Sequence, residues 1–231
     1  MKDISLIISI RPNSDQFIPL IENILETAND LDKIEICVAY SPLEEDNLQF
    51  LNDRDDIIKG IKVDMKLGGS YLYHYINKAA AISNGKLIWV IMDDMRIWTK
   101  DFDLKLKPYL KLYNQIYRIK FGGSHGTDIH PIITRKWIQT TGQYATGITP
   151  LVWITRLGDL LPPENTKTAV DLVVMDEAEL GKIPLRRTTI GLDQPAIKDF
   201  REEELTKFRW YEAQLEKEAK LLREVIKNGK G

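Results

Sequence analysis

Six apolar residues without a break, Leu87-Ile88-Trp89-Val90-Ile91-Met92, run straight into two carboxylates, Asp93 and Asp94. A strand with no polar alternation has no solvent side and needs packing on both faces, as at the centre of a parallel sheet. That requirement points to an open α/β sheet with helices above and below. The alanine-rich stretch before it reads as a helix, stopped at Asn84-Gly85 by a glycine suited to left-handed backbone. Asp93 and Asp94 fall where the strand's C-terminal end belongs, and ligands of such sheets bind in the crevice beyond that edge. Two carboxylates there suit a hard divalent cation. Asp-Asp after a strand is equally a turn or a helix N-cap.

The flanking chain repeats the pattern. Ile4 to Ile10 reads as a buried strand. Ser14 or Asp15 then caps a helix with Phe17, Ile18, Ile21, Ile24 and Leu25 on its apolar face. Ile34 to Tyr40 is a second strand, followed by the helix start Ser41-Pro42-Leu43-Glu44. Ile61 to Met65 is a short third strand, and Gly68-Gly69-Ser70 leads into the alanine-rich helix. The βαβαβαβ order predicts a mostly parallel sheet, helices on both faces and right-handed crossovers.

The second half is less regular. Phe102 to Tyr113 is helical with an interruption at Pro108, and Gln115 to Phe121 alternates as a strand. A glycine-rich loop, Gly122 to Asp128, precedes His130. Arg135 to Thr141 is a short helix stopped by Gly142. Thr149-Pro150 opens another helix, which Gly158 ends. Val170 to Met175 is a strand with Asp176 behind it. Arg201 to Asn228 is one long helix with Leu205, Phe208, Leu215, Ala219, Leu222 and Ile226 near a heptad seam. The expected division is a sheet domain over 1–198 and a helical extension over 199–231. The seam either packs back on the sheet or pairs with a second copy to give a homodimer.

Composition excludes some functions. With 32 basic and 34 acidic side chains the net charge is −2, so no overall field favours nucleic acid or anionic membrane. Cys37 is the single cysteine, which rules out a disulfide within the chain and fits a reducing compartment. No apolar run approaches the roughly 18 residues of a membrane span. These features lead us to expect a cytoplasmic protein.

The stretches ISLIISIRPN, IEICVAYS and, from Asn77, AAAISNGKLIWVIMDDM resemble the nucleotide-sugar half of the GT-A glycosyltransferases of family 2 type. DDMRIWTKDFD is similar to a variant among phage and bacterial members, matched at Asp94, Thr99, Phe102 and Asp103. PIITRKWIQTTGQY is similar to a later segment of the family. The resemblance runs from about Ile4 to Met175. It implies a GT-A fold and metal-dependent transfer of a sugar from a nucleotide-diphosphate donor, with UDP the expected nucleotide and Mn²⁺ or Mg²⁺ the cofactor. It also implies that Ser9 to Arg11 meet the base and ribose, Asn77 and Asp93 serve the donor, and Asp94 holds the metal.

The sequence departs from the pattern at several points. Tyr40 stands where the second strand usually carries a base-reading Asp, and either stacks on a base or packs at the rim. Met95 fills the third position of the Asp-x-Asp motif and cannot ligate a hard cation. Asp176 then offers a further metal ligand, if it is not simply a solvated strand end. The family's catalytic Glu-Asp pair belongs at the helix start near Thr149-Pro150, where no acid exists. Asp159 and Glu164 are the nearest substitutes, with Asp128 a third. His125, Asp128 and His130 read either as a metal cluster or as an acceptor-facing or structural loop.

Three functions follow. The first is glycosyl transfer to an acceptor that the sequence does not name: a glycan, a lipid-linked sugar, a protein or a modified base. The second is a non-catalytic binding or assembly role on a degenerate version of the fold. The third, nucleotidyl transfer, is disfavoured because RPNSDQF lacks the glycine-rich signature expected after the first strand.

Overall fold

The structure, a computed structural model, describes residues 1–10, 15–40, 53–54, 56–63, 72–123, 130–146, 150–176 and 200–229. In chain order the strands are β1 (Lys2–Ser9), β2 (Ile34–Tyr40), β3 (Ile58–Lys62), β4 (Gly85–Ile91), β5 (Met95–Ile97), β6 (Arg118–Gly123), β7 (Ile132–Thr134) and β8 (Thr166–Asp176). The helices are α1 (Phe17–Thr27), α2 (Leu72–Ile82), α3 (Phe102–Leu106), α4 (Arg135–Thr141), α5 (Pro150–Asp159) and α6 (Phe200–Asn228).

One curled sheet takes all of these strands in the order β3-β2-β1-β4-β7-β6-β8-β5. β1 is parallel to both β2 and β4, β2 to β3, and β6 to β8. The β4–β7, β6–β7 and β5–β8 pairs are antiparallel. The fold class read from the sequence is the one found.

β4 lies between β1 and β7, and its side chains divide between two cores. Leu87, Trp89 and Ile91 enter a cluster with α1 and α3, through Phe17, Leu20, Ile21, Ile24, Phe102 and Leu106. Ile88 and Val90 enter a second cluster with α2, α4, α5 and α6, through Ile76, Ala79, Trp137, Trp153 and Leu222. Trp89 is fully buried and meets Phe102 and Phe121 edge-on, with centroids 5.9 and 5.1 Å apart. Each such fully buried large side chain contributes about 1.5–3 kcal/mol. That two-sided burial is why the run carries no polar residue.

The structure corrects several details. Gly85 does not cap α2 but opens β4. A Cβ there would stand 2.4 Å from Ser5 Oγ and 2.5 Å from the Ser5 amide nitrogen, so the residue is glycine for space. Left-handed capping belongs instead to Gly142, which ends α4 at φ 79°. β3 starts at Ile58, earlier than expected, because Ile57 and Ile58 are the side chains that reach the first core. Gly122 and Gly123 close β6 instead of opening the loop, and a Cβ on Gly123 would lie 1.8 Å from the Val174 carbonyl oxygen. The helix start at Ser41 lies outside the described residues, as does Gly68 to Ser70.

α6 packs back on the sheet. Leu215, Ala219 and Leu222 of the expected seam are buried with α4 and α5. Tyr211 stands edge-on to Trp153 at 4.7 Å, and Arg156 pairs with Glu212 at 2.7 Å. Among the described residues, no helix is long and apolar enough to cross a membrane.

Candidate active site

The C-terminal ends of β1, β2 and β4 form one edge. Ile8 pairs with Ile91, and Ser9 with Ala39, so Ser9, Tyr40 and the residues after Ile91 stand at nearly one level. Ser9 is buried, and Tyr40 is half-buried against the first core. Arg11 lies outside the described residues.

Beyond Ile91 the chain reverses within four residues, the Met95 amide donating to the Met92 carbonyl at 3.1 Å. Asp93 and Asp94 are the two central residues of this turn, Asp93 fully buried and Asp94 half-buried. The reversal sends β5 antiparallel to β8, with Met95 opposite Asp176. The curl of the sheet thus returns the end of β8 to the acidic turn, and the backbone brings Asp93, Asp94 and Asp176 together. Met95 is buried in the first core.

The residues around the turn hold it in place. Arg96 is 6% exposed and donates from one nitrogen to the carbonyls of Asp93 (2.8 Å) and Met95 (2.7 Å). Its other terminal nitrogen donates to Gln16 Oε1 at 2.8 Å, at the start of α1. Asn23 on α1 mimics a neighbouring strand, donating to the Ile97 carbonyl at 3.0 Å and accepting from the Ile97 amide at 2.7 Å. Asp103 accepts from the Asn29 and Asp30 amides at 2.8 and 3.2 Å. Thr99 accepts from the Val173 amide at 2.8 Å and donates to the Asp171 carbonyl at 3.1 Å, bridging the bulge where β8 falls out of register with β6. Thr99, Phe102 and Asp103 of the motif are therefore architectural.

Asn77 bonds to main chain. Its carbonyl accepts from the Tyr144 and Ala145 amides at 2.9 and 3.0 Å, and its amide donates to the Ala145 carbonyl at 2.6 Å. The carboxamide is committed to backbone, fixing the segment that leads from α4 toward α5.

Two of the acids considered as base, Asp159 and Glu164, lie at the other edge. Asp159 accepts from Arg118 at 2.8 Å, and Arg118 also donates to the Thr155 carbonyl at 2.7 Å. Arg118 opens β6 and pairs with Thr166, which opens β8, so this ion pair sits at the N-terminal ends of those strands. Glu164, in the short turn Pro163–Asn165 just before β8, lies at the same end. From Thr166 to Asp176 the sheet advances by about 20 Å at strand rise, even allowing for the bulge. Thr155, Gly158 and Asp159 of α5 all meet Arg118, so nearness in sequence to Pro150 misleads. Asp128 is outside the described residues, as is His125. Among the described residues, no three His, Cys, Asp or Glu side chains are gathered as a metal site.

A carboxylate that sequence reasoning passed over does lie near the start of α5. Glu218 of α6 accepts from the Thr146 hydroxyl and, at 3.0 Å, from the Trp153 indole N–H. Burial pushes its carboxyl above the usual carboxylate range, and the two hydrogen bonds offset only part of that. The available signal was spacing: Glu218 comes three residues after Leu215 and four before Leu222, on the buried stripe.

Solved structures share this architecture. The S. aureus TarS fragment 1-349 in complex with UDP-GlcNAc superposes with a TM-score of 0.55 at 10% identity, over 75% of this chain and 55% of that one. The mannosyltransferase PcManGT from Pyrobaculum calidifontis, in complex with GDP-Man and Mn²⁺, gives 0.57 at 13% identity, over 80% and 58%. The fold is that of the GT-A glycosyltransferases. This chain spans little more than half the length of these two structures. No family model matches it, and no curated protein matches it in sequence. In a GT-A fold the edge carrying Ser9, Tyr40 and the acidic turn is the mouth of the sheet.

Proposed function

We propose that this chain is a metal-dependent glycosyltransferase that moves a sugar from a nucleotide-diphosphate donor, with UDP the expected nucleotide, to an acceptor hydroxyl. The observation that carries this reading is the acidic turn beyond β4, opposite Asp176, on a fold whose solved neighbours were determined with UDP-GlcNAc or with GDP-Man and Mn²⁺. Asp94 and Asp176 are the proposed metal ligands and Asp93 serves the ribose or sugar side, while Ser9, Arg11 and Tyr40 meet the nucleotide. Carboxylate oxygens fit Mg²⁺ or Mn²⁺, both hard cations. Such an ion neutralises the charge that gathers on a departing diphosphate. Asn77 then acts indirectly, by holding the Tyr144–Ala145 backbone.

One observation favours a binding-only reading: Met95 takes the place of a ligand and is buried in the core. Calorimetry with UDP, with and without Mn²⁺, together with release of nucleoside diphosphate from UDP-GlcNAc and GDP-mannose, separates the two. Turnover that EDTA abolishes supports transfer. Mn²⁺-dependent binding without turnover supports the binding role, and no binding of either nucleotide rejects both.

A further inference from the structure

We propose that the face made by Trp98, the helical stretch that follows it and the bulge of β8 docks on an anionic lipid surface. Docking does not depend on the glycosyltransferase reading. Trp98 is 49% exposed, Leu104 45% and Val170 76%. The backbone gathers them. The Trp98 amide donates to the Val173 carbonyl at 3.0 Å, and Thr99 bonds to the Asp171 carbonyl and the Val173 amide, so Trp98 lies against the bulge that carries Val170. The Tyr109 hydroxyl donates to the Thr168 carbonyl at 2.8 Å, tying the 3-10 helix Lys107–Leu112 to the same strand. Leu104 stands in the first turn of α3, its amide donating to the Asp101 carbonyl at 3.0 Å.

Lysines flank these apolar side chains. From Lys100 to Lys120 every exposed charged side chain is a lysine: Lys100, Lys105, Lys107 and Lys111. The inner side of that stretch is already occupied, Phe102 and Leu106 by the first core and Asp103 by the Asn29 and Asp30 amides. Asp101 is half-buried, and exposed Asp171 offsets one lysine. Glu22 and Glu26 of α1 are exposed but lie across β5, whose Ile97 bonds to Asn23 on one side and pairs with Val174 on the other. The whole chain carries −2, so the positive field is local to this face.

A bilayer suits this combination better than a nucleic acid does. Lysines are drawn to an anionic leaflet, tryptophan settles at the headgroup level, and aliphatic side chains gain by entering the acyl boundary. A phosphate backbone would use the lysines but give exposed Leu104 and Val170 nothing. Trp98 comes four residues after Asp94, at most roughly 14 Å of chain, so docking holds the acidic turn close to the headgroups.

The test is co-sedimentation of the full chain with vesicles of phosphatidylcholine alone and with about 30% phosphatidylserine. The chain should sediment with the anionic vesicles at low salt and be released in about 1 M salt, where screening acts within about 3 Å. Lys105→Gln, Lys107→Gln and Lys111→Gln together should weaken partition about 10²-fold, roughly fivefold per lysine, with the melting temperature near that of the wild type. Brominated acyl chains should quench tryptophan fluorescence in the wild type and much less in Trp98→Phe, which carries the test if the triple variant does not fold. Quenching kept in Trp98→Phe but lost in Trp210→Phe overturns the assigned face. Full binding by the lysine variant, no sedimentation with either vesicle, or binding to a DNA oligonucleotide alone overturns the proposal.

Discussion

Arg96 donates to the main-chain carbonyl of Asp93 at 2.8 Å from inside the core, so a buried cation underpins the turn that presents two acids at the sheet edge. The same guanidinium reaches the Met95 carbonyl and Gln16. Arg96→Met keeps the bulk and removes every donor. It should cost about 3 kcal/mol in chemical denaturation, since two buried carbonyls lose charged partners. It should also weaken Mn²⁺-dependent UDP binding. A variant with unchanged affinity would show that the turn holds its shape without this residue.

Asp94 is the more exposed of the two acids in the turn. Asp94→Asn should lower kcat for nucleotide-sugar hydrolysis about 10²-fold or more, because it removes a charge from the proposed cation site. Its melting temperature should match the wild type. Retained activity, or activity in EDTA, would count against a metal at this position.

Asn77 separates architecture from ligand contact. Asn77→Ala strands three backbone groups of Tyr144 and Ala145 and should destabilise the fold by about 2–3 kcal/mol. UDP affinity, measured well below the melting temperature, should not change. A selective loss of affinity with stability intact would instead place the side chain on the donor.

Glu35 supplies a pH dependence. It is 1% exposed and accepts from Ser5 Oγ, the Asn84 amide and Lys59. Burial pushes its carboxyl up, but the hydrogen bonds from Lys59, Ser5 and Asn84 outweigh burial and hold it below the usual range. A depressed carboxyl adds stability that is fully present above its unfolded pKa of about 4.3 and is lost as pH falls through the folded value. Denaturation midpoints should therefore drop below about pH 4.3, and Glu35→Gln should flatten that limb. Lys59 is half-exposed, so its side of the pair should show little at high pH.

The features legible in the sequence were those set by local periodicity. The run from Leu87 announced a strand covered on both sides, the Arg135–Thr141 helix and its Gly142 stop were read to the residue, and the α6 seam was visible from spacing. Gly85 reads as a helix stop because a glycine needed for close approach to Ser5 looks the same in sequence as one needed for a turn. Asp159 and Glu164 are near Pro150 only along the chain; Arg118 and the start of β8 hold them at the other edge. Glu218 and Asn77 depend on contacts between residues 65 or more positions apart, which no local pattern encodes.

The bulge in β8 sets the facing of the strand's end. Between Phe121 and Gly122 on β6, the partner residue jumps from Ala169 to Val173, and Thr99 pins the excess. Strand side chains alternate between faces, yet Ala169 and Val174, five residues apart, both lie in the first core, so the bulge itself carries the change of facing. A β8 that alternated without interruption from Ala169 would turn Val174 out of that core.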